Sequence, residues 1–148
     1  MSAIQQAIAD ATKTAMKARE KERVAVLRMV NAEFKRVEVD ERRELADADV
    51  LGILNKMMKQ RQDAHSQYTD AGREDLAAQE AMEMALIQEF LPEPLSDAEL
   101  DALIAKCITD AGAQGMQDMG KVMGLVKQAA EGRADMGKVS GRVKAQLA

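Results

Sequence analysis

Apolar positions along this chain recur every three or four residues, the spacing of one face of an α-helix, rather than in the period-two alternation of a strand. Ile4, Ile8, Ala11 and Ala15 mark a first helix, from about Ser2 to Ala18. Val24, Leu27, Val30, Phe34 and Val37 step along a second, from about Lys21 to Arg43. A third starts at Ala46 or Asp47 and reaches about Thr69, with Val50, Leu54, Met57, Ala64 and Tyr68 facing inward and Arg61 interrupting the stripe. Gly72 stops it. Glu74-Asp75 then open a fourth helix with negative charge where the helix dipole favours it. Leu76, Met84, Ile87 and Phe90 are its expected core contacts, and it ends near Phe90.

Phe90-Leu91-Pro92-Glu93-Pro94-Leu95-Ser96 holds the only two prolines. Each lacks a backbone N–H and pushes its predecessor out of helical geometry, so the helix ends here. Ser96-Asp97-Ala98-Glu99 follows at once and has the form of a capping box, a helix start. The stretch therefore reads as an elbow between an N-terminal helical bundle, residues 1–91, and a small C-terminal helical domain, residues 92–148. In the second part Leu100, Leu103, Ile104, Cys107 and Ile108 face inward from a helix over Asp97 to Ala111, ended by Gly112. Two short helices follow, about Gln117 to Ala130 and Met136 to Leu147, broken at Gly132.

Composition agrees with an all-α fold. The chain is 47% apolar and 31% charged, with eleven methionines and almost no aromatic residues. Ala, Met, Leu, Gln, Glu, Lys and Arg are the strongest helix formers. Cys107 is the only cysteine, which rules out an internal disulfide and suits a reducing compartment. With no membrane-spanning apolar run and no signal-peptide core, the cytoplasm is the expected location.

The last two helices contain a repeat. Asp118-Met119-Gly120-Lys121-Val122-Met123-Gly124 returns seventeen positions later as Asp135-Met136-Gly137-Lys138-Val139-Ser140-Gly141, with six of seven residues identical. Two copies of one task are expected: Asp118 and Asp135 near helix starts, Met and Val inward, and Gly120, Gly124, Gly137 and Gly141 allowing close helix contact. Charge also sorts. Pro92 to Ala111 carries five acids and one base, whereas Gly112 onward carries six bases and three acids. The net charge of the whole chain is −4, so this basic end is local.

The chemistry of catalysis is poorly represented. Gly115 to Lys121 and Gly132 to Lys138 each fit G-x-x-x-x-G-K, but Val122 and Val139 stand where a magnesium-holding Ser or Thr is required. An aspartate sits inside each loop, and no strand precedes either. Cys107 lies on an apolar helix face, and His65, the only histidine, belongs to the other module, so no nucleophile–base pair is evident. One Cys and one His do not make a zinc site, no Glu-x-x-His pair suggests a di-iron bundle, and no carboxylate pair stands out as an acid/base couple. No catalytic residue, metal or cofactor is expected. The candidate site is cationic: Lys121, Arg133, Lys138, Arg142 and Lys144, placed to grip backbone phosphates.

Several stretches together resemble the YqeY-like family over essentially the whole chain. They are Lys21-Glu22-Arg23 leading to Leu27-Arg28-Met29, Lys59-Gln60-Arg61-Gln62-Asp63, Ala71-Gly72-Arg73-Glu74-Asp75-Leu76, the Phe90 to Ser96 elbow and Asp118 to Gly124. Gly132-Arg133-Ala134-Asp135 fits too, with Met136 standing where the family goes straight on to Gly-Lys. The family shares its architecture with the tail of the GatB subunit of the tRNA-dependent amidotransferase. The resemblance implies an all-helical two-part fold and tRNA contact by the second part. It also implies the label of a carbon–nitrogen ligase with glutamine as amido-N-donor, although the portions that hydrolyse glutamine and use ATP have no counterpart here. Two functions remain in view: a non-catalytic module binding tRNA or another RNA, and a protein-interaction adaptor or accessory amidotransferase subunit with a methionine-rich apolar surface.

Overall fold

A computed structural model describes all residues, Met1 to Ala148, and shows seven α-helices and no strand. In order these are α1 (Ala3–Lys17), α2 (Lys21–Glu41), α3 (Asp47–Asp70), α4 (Glu74–Gln88), α5 (Asp97–Ala111), α6 (Met119–Ala130) and α7 (Met136–Leu147), with a 3-10 turn at Met116–Asp118. The contacts divide the chain into two compact units, Met1–Leu91 and Pro92–Ala148.

In the first unit α1 pairs with α2 and α3 with α4. Ile8, Leu27, Val30, Phe34, Val50, Leu54 and Ile87 form the core, joined by Leu45 from the α2–α3 turn. Fully burying such a side chain contributes roughly 1.5–3 kcal/mol. Two expected contacts shift. Val37 is only half-buried while Val26 is buried, and on α4 Ala77 and Leu86 go inside while Leu76 and Met84 stay at the margin. On α4 these differences reflect a weakly one-sided apolar pattern, where local spacing does not choose a face.

The two buried polar residues of this unit, Gln5 and Thr12, are hydrogen-bonded. The buried Gln5 caps α1 with Ser2 and donates to Glu38 at 2.7 Å. The buried Thr12 hydroxyl donates to the Ile8 carbonyl at 2.7 Å and accepts from Asn31 at 3.1 Å. These two cross-links fix the antiparallel register of α1 and α2. Between α3 and α4, Arg61 lies 3.3 Å from Glu83, with side chains only 12% and 17% exposed.

The turn from α2 to α3 is held by charge. Arg42 closes α2 in a left-handed conformation, φ 52°. Arg43 then grips Asp49 with two bonds, 2.8 and 3.1 Å, while Asp49 also accepts from the Ala46 N–H at 2.9 Å. The guanidinium bonds, then the backbone N–H, pull the Asp49 carboxyl down to about 2. An unfolded aspartate titrates near ~3.9. The stabilisation is therefore present above that value and lost as pH falls toward about 2. We expect the melting temperature of Asp49→Asn to fall less than wild type between pH 5 and pH 2; parallel curves from circular dichroism melts would contradict this assignment.

The second unit is built on α5. Ser96 and Glu99 form a reciprocal capping box at 3.1 Å each way, and Gly112 ends the helix at φ 63°, a left-handed value that favours glycine. Leu100, Ile104 and Cys107 pack against Val122 and Val126 of α6 and Val139 and Val143 of α7. The four valines are the same two repeat positions used twice. Arg133 anchors the stretch that precedes α5. Its Nε donates to the Glu93 carbonyl at 2.7 Å, and its own carbonyl accepts from the Leu95 N–H at 2.8 Å.

Candidate functional site

Each candidate cation has a definite place in the second unit. Lys121, at the start of α6, donates to the carbonyl of Ala111, the last residue of α5, at 3.1 Å. Carbonyls there have no helical partner and carry the negative end of the dipole. Lys138, the same position in the second copy, pairs with Asp97, the first residue of α5. The repeated lysines thus take opposite ends of one helix. Arg142 sits 2.8 Å from Asp97 and 2.7 Å from Asp101. The Lys138 bond, with the Arg142 charge beside it, lowers the Asp97 carboxyl below its usual range. Arg133 is held by Glu93, and Lys144 is exposed without a partner.

The expected five do not form one cluster of free charge. Four of them have partners inside the unit. The Lys138–Asp97 pair is at the surface, where an exposed ion pair is worth only about 0–1 kcal/mol, whereas Arg142 is half-buried on Asp101, so Lys138 is the freer of the two to meet an external anion. The two repeat aspartates also differ. Asp135 caps α7 by accepting from the Lys138 N–H at 3.3 Å, whereas Asp118 accepts from the Gln114 N–H at 3.0 Å and braces the turn before α6.

The glycines correct an expectation. Gly120, Gly124 and Gly141 do not bring helices together: a Cβ added at any of them meets nothing within 4 Å. They face solvent, as does Gly137, because the inward positions of α6 and α7 belong to Val122, Val126, Val139 and Val143. Three residues beyond the second glycine of each copy stands a lysine, Lys127 on α6 and Lys144 on α7, each exposed and free of ion pairs. Lys127 is not in the expected set, although the seventeen-residue offset pairs it with Lys144. Each helix therefore presents a side-chain-free strip that ends in an unpaired cation.

Elsewhere the chemistry is sparse. Cys107 is buried at 5% exposure, and burial pushes its thiol up, away from the reactive thiolate. The grooves along α2 and α4 are lined by Glu20, Lys21, Arg23, Met82 and Glu83 among others, a mixture of charges with no nucleophile. No helix is long and apolar enough to cross a membrane.

A family model described as Yqey-like protein matches residues 5–147. The chain is 35% identical over 101 residues to a protein of Vanderwaltozyma polyspora named altered inheritance of mitochondria protein 41, mitochondrial. That match covers 66% of this chain and 55% of the relative, so the chain spans about half the length of that protein. It is 33% identical over 82 residues to an uncharacterized protein of Schizosaccharomyces pombe, covering 55% of this chain and 67% of the relative.

Proposed function

Because the chain belongs to the YqeY-like family, we propose that it is a non-catalytic helical module whose second unit binds the phosphate backbone of a structured RNA, tRNA being the model ligand. The observation that carries this reading is the pair of glycine strips, each ending at a free lysine. A glycine inside a helix costs roughly 0.5–1 kcal/mol relative to alanine. Gly120, Gly124 and Gly141 touch nothing in the chain that offsets the cost. Bare helix surface lets a backbone come close, and Lys127 and Lys144 stand where its phosphates would pass. RNA helices hide their base edges and are recognised by shape and backbone, which suits a surface without exposed aromatic stacking residues. The buried lone thiol fits a reducing compartment, cytoplasmic or mitochondrial.

Gly124→Ala with Gly141→Ala separates fold from function. We expect this variant to melt higher, by roughly 1 kcal/mol per site, and to bind tRNA more weakly in filter binding. Lys127→Gln with Lys144→Gln should lower the slope of log affinity against log salt by close to two, at roughly 0.9 per duplex phosphate contact. Unchanged tRNA affinity in both variants rejects the site. A wild-type chain that binds no tRNA, yet retains a protein partner after nuclease treatment, replaces this reading with an adaptor.

A further inference from the structure

The first unit carries a second cationic surface. Lys21, Arg28 and Lys35 recur every seven residues on α2, nearly two full helical turns apart, so they line one face. All three are exposed, and none takes part in an ion pair or hydrogen bond. Their neighbours behave differently. Arg23 pairs with Glu89, Arg36 with Glu33 and Asp40, and Arg43 with Glu41 and Asp49. Within α2 the unpaired cations all lie on this one stripe.

The residues between them are small. Ala25 and Ala32 are exposed on the same face, and Val39, 61% exposed, continues it. Helix α1 adds to the stripe. Its register, set by the Thr12–Asn31 and Gln5–Glu38 bonds, brings Lys13 level with the turn from Arg28 to Ala32. Lys13 is exposed and unpaired, while Ile8, Thr12 and Ala15 turn inward. Most acids of α2 are engaged elsewhere, Glu33 and Asp40 by Arg36, Glu38 by Gln5 and Glu41 by Arg43, which leaves Glu22 beside Lys21 as the one unpaired acid of the helix.

We propose that the outer face of the α1–α2 hairpin is a binding surface for the phosphate backbone of duplex RNA. The row from Lys21 to Lys35 spans about 21 Å at ~1.5 Å per residue. Its cations are therefore about 10 Å apart at ~1.5 Å per residue, wide enough for each to meet a different phosphate. A partner helix is less well matched, because a coiled-coil seam needs apolar residues where this stripe has lysine and arginine. A lipid surface is also poorly matched. An interfacial helix buries large apolar side chains flanked by cations, whereas here the cations occupy the centre and the apolar groups are small.

The assignment shares its class of partner with the preceding reading and differs from it in place, so the two can fail separately. The probe is a perfectly paired RNA duplex, titrated against the full chain at several salt concentrations. Lys21→Gln, Arg28→Gln and Lys35→Gln together should lower the salt slope by about two to three, at roughly 0.9 per contact. Lys59→Gln, which removes an exposed and unpaired cation from α3, should leave it within error of wild type. Melting curves establish that each variant is folded. A slope that the triple variant leaves untouched, while Lys127→Gln with Lys144→Gln reduces it, overturns this surface alone. Loss of binding to polyglutamate or anionic vesicles in the triple variant, with duplex binding intact, overturns it too. A wild-type chain with no duplex affinity overturns both.

Discussion

Replacing Ile104 by alanine is expected to unfold the second unit at room temperature while the helices of the first persist. Ile104 is 0% exposed at the centre of α5, among Leu100, Val122, Val126, Val139 and Val143. Deleting such a side chain costs about 2–5 kcal/mol, transfer and cavity terms combined. A single core in a unit this small supplies little more than about 3–5 kcal/mol. The loss is thus comparable to the whole. Cys107 gives the readout, since it is the sole cysteine and is 5% exposed in the same core. Its labelling by a thiol reagent should be slow in wild type and immediate in Ile104→Ala, with only part of the helical circular dichroism lost. A thiol that stays protected in the variant contradicts this account of the core.

The second large effect concerns Arg61 and Glu83. Their side chains are 12% and 17% exposed and 3.3 Å apart. Arg61 also donates to the Met57 carbonyl at 3.0 Å and lies 2.9 Å from the Met29 sulfur. Its Nε has no hydrogen-bond partner, so the carboxylate meets it as a charge rather than as an aligned acceptor. Such a pair is vulnerable in one direction. Removing one partner leaves a largely desolvated charge uncompensated, at about 3–5 kcal/mol, whereas replacing both by apolar residues is often neutral or better. Glu83→Ala should therefore be strongly destabilising, and Glu83→Leu with Arg61→Met should recover most of the loss. A double variant as unstable as the single one would show that the pair is instead a net source of stability.

The helical segments were legible because their signals are local. The Ser96 to Glu99 capping box, Gly112 and the proline elbow each act over a few residues, and α5 begins and ends where they place it. The buried set was legible where the apolar pattern has one clear face, as on α5, and less so on α4, where Leu86 displaced Leu76 and Met84. The site was harder to read. A sequence shows that Lys138 and Arg142 share a helix face but not that Asp97 and Asp101 will meet them, because those partners lie some forty positions away. The glycines misled for a related reason. Repetition suggests a shared task, but whether a bare helix face looks inward or outward depends on which neighbours take the valines.

The paired lysines also give α5 the role of a ruler. The helix has 15 residues, about 22 Å at ~1.5 Å per residue, and Lys121 and Lys138 read its two ends. Lengthening α5 by one turn would carry one terminus about 5.4 Å out of reach. The tandem copies can therefore drift in sequence more freely than the element between them can change in length.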